Sequence, residues 1–121
     1  MKTFLLLLCC SCLACCNLKK TFAEVQSINS DLVTFFNNDN IDTSIGWGPA
    51  PKDNKMTVTF SRFDVDNSSR SELDSIGLLV RQRIVEHHPD MKKLDHITVR
   101  FSKQAKKDNI QDYVIFDYKT K

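Results

Sequence analysis

Histidine occurs three times in the chain, as His87, His88 and His96, and Glu86 stands directly before the first pair. These residue types ligate transition metals, but the spacing is wrong. Adjacent histidines on a helix point in different directions, and no residue one turn away supplies an i+4 partner. The expectation is a solvated helix C-terminus, where imidazole meets the negative end of the helix dipole, with no metal held. The run Asp64-Val65-Asp66-Asn67-Ser68 has the alternating oxygens of a calcium loop. That loop needs Gly at its sixth position and Glu at its twelfth, and here those positions are Ser69 and Ser75. A turn that caps the following helix is expected instead. Asn67-Ser68-Ser69 also has the form of an N-glycosylation triplet, which matters only in a eukaryotic secretory pathway.

Covalent and acid–base chemistry find little to work with. The chain has no Gly-x-Ser-x-Gly elbow, no His-Glu-x-x-His helix and no glycine loop to cradle a phosphate, and only 3 glycines in all. Its carboxylates are scattered along the sequence. These patterns argue against an enzyme, and no cofactor is implied.

Cysteine is the most informative residue type. The 5 cysteines are Cys9, Cys10, Cys12, Cys15 and Cys16, and none follows. A secreted scaffold stapled by disulfides spreads its cysteines through the fold, so that class is excluded and the rest of the chain must cohere by packing. Around these cysteines, Lys2 gives a positive start and an apolar run extends over 4–16 until Asn17 and the pair Lys19-Lys20. Such a run has the length of a signal h-region and falls short of the ~20 residues that span a bilayer as a helix.

The end of that run, Leu13-Ala14-Cys15-Cys16, resembles the lipobox of bacterial lipoproteins. In that family a Leu stands three residues before the cysteine, with small residues between. The resemblance implies cleavage before a cysteine that is acylated and becomes the new N-terminus. Cys16 as lipid attachment places Leu13 and Ala14 correctly and puts Cys15 in a position usually held by Gly, Ala or Ser. Cys15 as attachment keeps Ala14 in place and moves Leu13. Three other readings compete: a plain secretory signal cut near Ala14 or Cys16, a retained anchor with palmitoylated cysteines, and a metal cluster built from the Cys-x-Cys and Cys-Cys pairs, against which stand the leucine flanks and the lack of framing His or turn residues. The resemblance covers the leader alone, dividing the chain into a lipoprotein-type signal peptide over 1–16 and a single globular domain over 17–121.

The elements of that domain follow from periodicity. Leu18, Phe22, Val25, Ile28, Leu32 and Phe35 or Phe36 recur at steps of three and four, the stripe of an amphipathic helix ended by Asn37-Asn38-Asp39-Asn40. Alternation over 41–47 predicts a short strand, 48–54 a loop, and Met56-Thr57-Val58-Thr59-Phe60 a period-two strand. The apolar phase slips at Ser61-Arg62, which predicts a β-bulge. Ser69 with Glu72 reads as a capping box ahead of a second helix marked by Leu73, Ile76, Val80 and Ile84, which stops at His87-His88-Pro89. Ile97, Val99 and Phe101 predict a third strand, and 113–118 a last strand, apolar on both faces. The fold class is therefore α+β, in the order α-β-β-α-β-β: a mainly antiparallel four-stranded sheet with two helices on one face.

Two segments stand out as contact surfaces. The chain's single Trp, Trp47, lies between Gly46 and Gly48 and beside Pro49 and Pro51. A stiff frame of small residues can present an aromatic anchor to a partner; the commoner outcome is an indole folded down over a sheet edge or the core. Lys103, Lys106 and Lys107 make a basic hairpin tip, either a solubilising loop or a contact for anionic lipid. Against 17 Lys and Arg the chain carries 15 Asp and Glu, so it lacks the basic excess that nucleic-acid binding requires. The reading is a small envelope lipoprotein, tethered to a membrane by its N-terminal lipid, that acts as a binding or structural module with Trp47 as partner-binding candidate. The alternative is a secreted inhibitor or immunity-type protein that blocks a hydrolase or toxin.

Overall fold

Period-two alternation becomes four strands and the 3.6-residue stripes become two helices in the computed structural model, which describes residues 21–47, 49–50, 54–105 and 113–121. Cys15, Cys16, Leu18, Gly48, Pro51, Lys106 and Lys107 lie outside the described residues. Helix α1 covers 21–36, followed by β1 (Ile41–Gly46), β2 (Lys55–Phe60), α2 (Arg70–His87), a 3-10 turn (Pro89–Lys93), β3 (His96–Phe101) and β4 (Val114–Lys119). The expected α+β class and element order are observed.

The sheet runs β1-β2-β3-β4, in chain order. β1 pairs with β2, and β3 with β4, as antiparallel neighbours, while β2 and β3 pair in parallel. A parallel pair needs a crossover long enough to bring the chain back to its starting end, and α2 supplies it. The sheet is thus mostly antiparallel, with one parallel ladder at its centre.

Strand register sorts the side chains into two faces. Ile41, Phe60, Phe101 and Val114 stand in one row across the sheet, with Thr43, Val58, Val99 and Phe116 in the next and Ile45, Met56, Ile97 and Tyr118 in the third. This face packs on Ile28 and Leu32 of α1 and on Leu73, Val80 and Ile84 of α2, forming one core. Phe60 and Phe101 stack at 5.0 Å between centroids, and Phe36 and Phe63 approach Phe60 edge-on at 5.5 and 5.9 Å.

Local sequence explains where each helix stops and starts. Asn37 takes a left-handed conformation (φ 49°), and the amides of Asn37 and Asn38 donate to Thr34 O and Val33 O. These are the two bonds of a Schellman cap, in which Asn or Gly tolerates the positive φ. At α2, the Ser69 hydroxyl accepts from the Glu72 amide, as the capping-box signature requires. Pro89, having no amide hydrogen to donate, opens the 3-10 turn.

Two expectations are corrected in detail. The slip at Ser61-Arg62 is not a bulge within a strand. β2 ends at Phe60 and Arg62 adopts φ 50°, so the chain turns once and Phe63 returns to the core side, with its amide on Ser102 O. The last strand is not apolar on both faces: Val114, Phe116 and Tyr118 face the core, whereas Ile115, at 51 % exposure, shares the opposite face with Asp117 and Lys119.

Candidate functional site: the uncovered sheet face and the Trp47 end

With both helices on one side, the other side of the sheet stays uncovered. Its rows, read across the strands, are Asp42-Thr59-Arg100-Ile115, Ser44-Thr57-Thr98-Asp117 and Gly46-Lys55-His96-Lys119. The alternation that sends apolar residues inward sends these outward, so the same sequence pattern builds core and surface together.

Side chains on this face are tied to one another. Arg100 Nε and Nη2 donate to Thr59 Oγ1 at 3.1 and 3.0 Å. The guanidinium lies over the Tyr113 ring, 4.2 Å from its centroid, a cation–π geometry. Next to it, Thr98 Oγ1 donates to Asp117 Oδ1 at 3.0 Å, and His96 Nδ1 lies 3.4 Å from Asp117 Oδ2. Thr59 and Thr98 are only 7 and 8 % exposed although no helix covers them, because Arg100 and Asp117 lie across them. The result is an uncovered strand face whose donors and acceptors are held in order.

Trp47 leaves the end of β1 with 56 % of its surface exposed. It is not buried in the core, one of the two resting places expected for such a residue. Its one described ring contact is Lys93 Nζ, 5.9 Å from the indole centroid. Between α1 and β1 runs an open groove of about 440 Å³ whose lining includes Phe22, Gln26, Asn29 and Thr43. Thr43 Oγ1 donates to Asn29 Oδ1 at 2.9 Å in its wall.

The histidines part company. His87 is exposed at the end of α2. His88 Nε2 lies 3.6 Å from Asp31 Oδ2 on α1, and His96 faces Asp117 on the open side of the sheet. Among the described residues no three His, Cys, Asp or Glu side chains gather as a metal site would require. Asp31 is instead the centre of the helix–helix contact: its two oxygens accept from Arg83 Nε and Nη2 at 3.0 and 2.9 Å. The hydrogen bonds from Arg83 hold the Asp31 carboxyl below the usual carboxylate range against the opposing effect of burial, and the charge of Arg83 and the neighbouring His88 add to the effect.

The Asp64–Ser68 run is a turn, as expected. Asn67 Nδ2 donates to both carboxylate oxygens of Asp64, and Ser68 Oγ donates to Asp64 O. Lys103 pairs with Asp66 at 3.4 Å, at the Phe101 end of the sheet and far from Trp47. Sequence reasoning did not single out Arg100, Thr59, Thr98 or Asp117. The signal was present in Thr57, Thr59, Thr98 and Arg100 at outward strand positions, but it becomes a site only once register sets them side by side.

Among the described residues no helix is long and apolar enough to cross a membrane. No family model matches the chain, nor does any curated protein or solved structure.

Proposed function

We propose that the protein is a small lipid-anchored module of the cell envelope that works by binding a protein partner. The tether is carried by the leader's resemblance to a lipobox at Cys15 or Cys16. The binding role is carried by one observation: the sheet face opposite the helices is uncovered, and Thr59, Thr98, Arg100 and Asp117 on it are already fixed by mutual hydrogen bonds. Side chains held in place before contact lose little rotamer freedom on association, which removes one of the costs of forming an interface. A polar, pre-ordered strand face fits a protein partner better than it fits a small substrate, whose sites are concave and mostly apolar.

Thr57→Arg tests this reading. Thr57 sits at the centre of the open face, opposite Ser44 and Thr98, and its arginine projects into whatever docks there. Affinity capture from envelope extracts should then lose one co-purifying protein while the circular dichroism and melting temperature of the variant stay those of the wild type. An unchanged set of captured proteins removes the open face from the proposal.

The exposed Trp47 favours a second reading, the exported inhibitor or immunity-type protein. An inhibitor brings down a single hydrolase or toxin in near-equal amount and loses it on Trp47→Ala.

A further inference from the structure

The α1–β1 contacts fix which end of the domain faces the leader. Phe36 packs on Phe60, the register partner of Ile41, and Asn29 bonds to Thr43. Moving forward along β1 therefore means moving backward along α1, and the two are antiparallel. The first described turn of α1 thus leads toward the Gly46 end of the sheet, and the sequence between it and Cys16 is only four residues long. Four residues reach at most about 14 Å even when fully extended.

That same end collects a distinctive set of side chains. Gly46, Lys55, His96 and Lys119 form the terminal row of the sheet. Trp47 follows Gly46, and the Pro89–Lys93 turn enters β3 from this side and places Lys93 against the indole. Lys55, Lys92, Lys93, Lys119 and Lys121 are all exposed here, against the exposed carboxylates of Glu86, Asp90 and Asp95. Phe22, in the first turn of α1, is 65 % exposed and Trp47 56 %. At the opposite end Lys103 is taken up by Asp66. An exposed indole beside Lys93, on a sheet end that also carries Lys55 and Lys119, is the composition of a surface that rests in a lipid headgroup layer. Tryptophan prefers that interface, and lysines beside it are drawn to anionic lipid.

We infer that the Trp47 end of the domain docks flat on an anionic phospholipid bilayer, with Trp47 in the headgroup layer and Lys55, Lys93 and Lys119 on lipid phosphates. The proposed tether provides the setting for this inference. Docking turns the sheet upright from the membrane, so the strands stand along the bilayer normal and the open face looks sideways, accessible to a partner. Lys103 lies at the far end of the sheet, away from the lipid.

Trp47 is the chain's only tryptophan, so its fluorescence reports on this end alone. The full chain, recovered from cells that make it, is reconstituted into vesicles of phosphatidylglycerol and phosphatidylcholine that contain brominated acyl chains. The expected result is a blue shift of the emission, quenching by the brominated lipid and protection from aqueous iodide. Neutralising Lys55→Gln and Lys119→Gln, both exposed, should lower the ratio of docked to undocked domain about fivefold for each lysine. Vesicles of phosphatidylcholine alone should act in the same direction. Emission that iodide quenches freely and brominated lipid does not overturns the inference, as does Trp47 shielded from both, which means a protein covers it. Mass spectrometry of the N-terminal peptide from the same sample reads the tether separately. An unacylated chain that still shows lipid quenching keeps the docking and loses the tether; an acylated chain without quenching does the reverse.

Discussion

Tyr118 donates its hydroxyl to Asp74 Oδ1 at 2.6 Å and also lies 3.2 Å from Asp74 O, crossing α2 at the one point where the helix has no side chain. That point is Gly77, where a Cβ would collide with Tyr118 Oη and meet ring atoms Cε2 and Cζ at 2.9 Å. The glycine is there for close approach, since its backbone is ordinary helix. Burial first, and the bond to Asp74 second, push the Tyr118 phenol above its usual range, so the hydroxyl stays a donor at any physiological pH.

Gly77→Ala should therefore destabilise the fold although alanine is the better helix former. A propensity gain of about 1 kcal/mol is set against overpacking of about 1–3 kcal/mol and a lost hydrogen bond of about 1 kcal/mol. Urea denaturation should show a net loss of about 1–3 kcal/mol. In a Tyr118→Phe background the same substitution should cost less, because the hydroxyl is no longer in its way. An equal cost in both backgrounds contradicts the contact.

The Asp31–Arg83 pair predicts how stability responds to acid. Because the Asp31 carboxyl is held below its unfolded value, its contribution is present above that value, about 3.9. It is lost as pH falls through the lower folded value. At neutral pH Asp31→Asn should melt below the wild type, and the gap should close between roughly pH 5 and pH 2. A gap that stays constant in thermal melts across that range assigns the effect to packing alone.

Asn37 sets the end of α1 through its left-handed backbone. Asn37→Gly should leave stability unchanged or raise it slightly. Asn37→Val should lower it by about 1–2 kcal/mol, the cost of forcing a branched side chain into that conformation. Comparing the two variants by chemical denaturation checks this.

At the N-terminus of α2, Ser69→Ala removes the acceptor for the Glu72 amide and should cost about 1 kcal/mol. Ser69→Asp should restore it. If alanine and aspartate are equivalent in denaturation midpoints, the cap contributes nothing.

The elements that were legible in the sequence are those with a single strong period. Met56, Val58 and Phe60 could only be a strand, and Leu73, Val80 and Ile84 behind Ser69 only a helix. Their caps were legible too, because Ser, Asn and Pro act through their own backbone within a few residues. The parallel β2–β3 ladder was not, since two hairpins in sequence say nothing about which strands become neighbours until α2 packs and sets the side from which β3 returns. Gly77 was unreadable for the same reason: its role belongs to Tyr118, forty-one residues later. Trp47 had two plausible fates, and the choice fell to its position beyond the last ladder pair, Gly46 with Lys55. The Arg100–Thr59 and Asp117–Thr98 pairs were hidden because each joins two strands, and only register brings them within bonding distance.

Sheet order that follows chain order makes the molecule separable along its sequence. α1, β1 and β2 form one contiguous piece and α2, β3 and β4 another, joined through the connection over 61–69. Within each piece the contacts are close in sequence, whereas the parallel ladder between Lys55–Phe60 and His96–Phe101 closes a long stretch of chain, the kind of contact that slows folding. Each piece carries its own helix, α1 on β1 and β2 and α2 on β3 and β4, but each is left with one open seam: Phe60 lacks Phe101 beside it, and Met56 lacks Ile97. Two fragments cut within 61–69 are therefore mutual templates, each completing the other's core along one seam, so folding of the whole is in effect an intramolecular assembly of two half-domains.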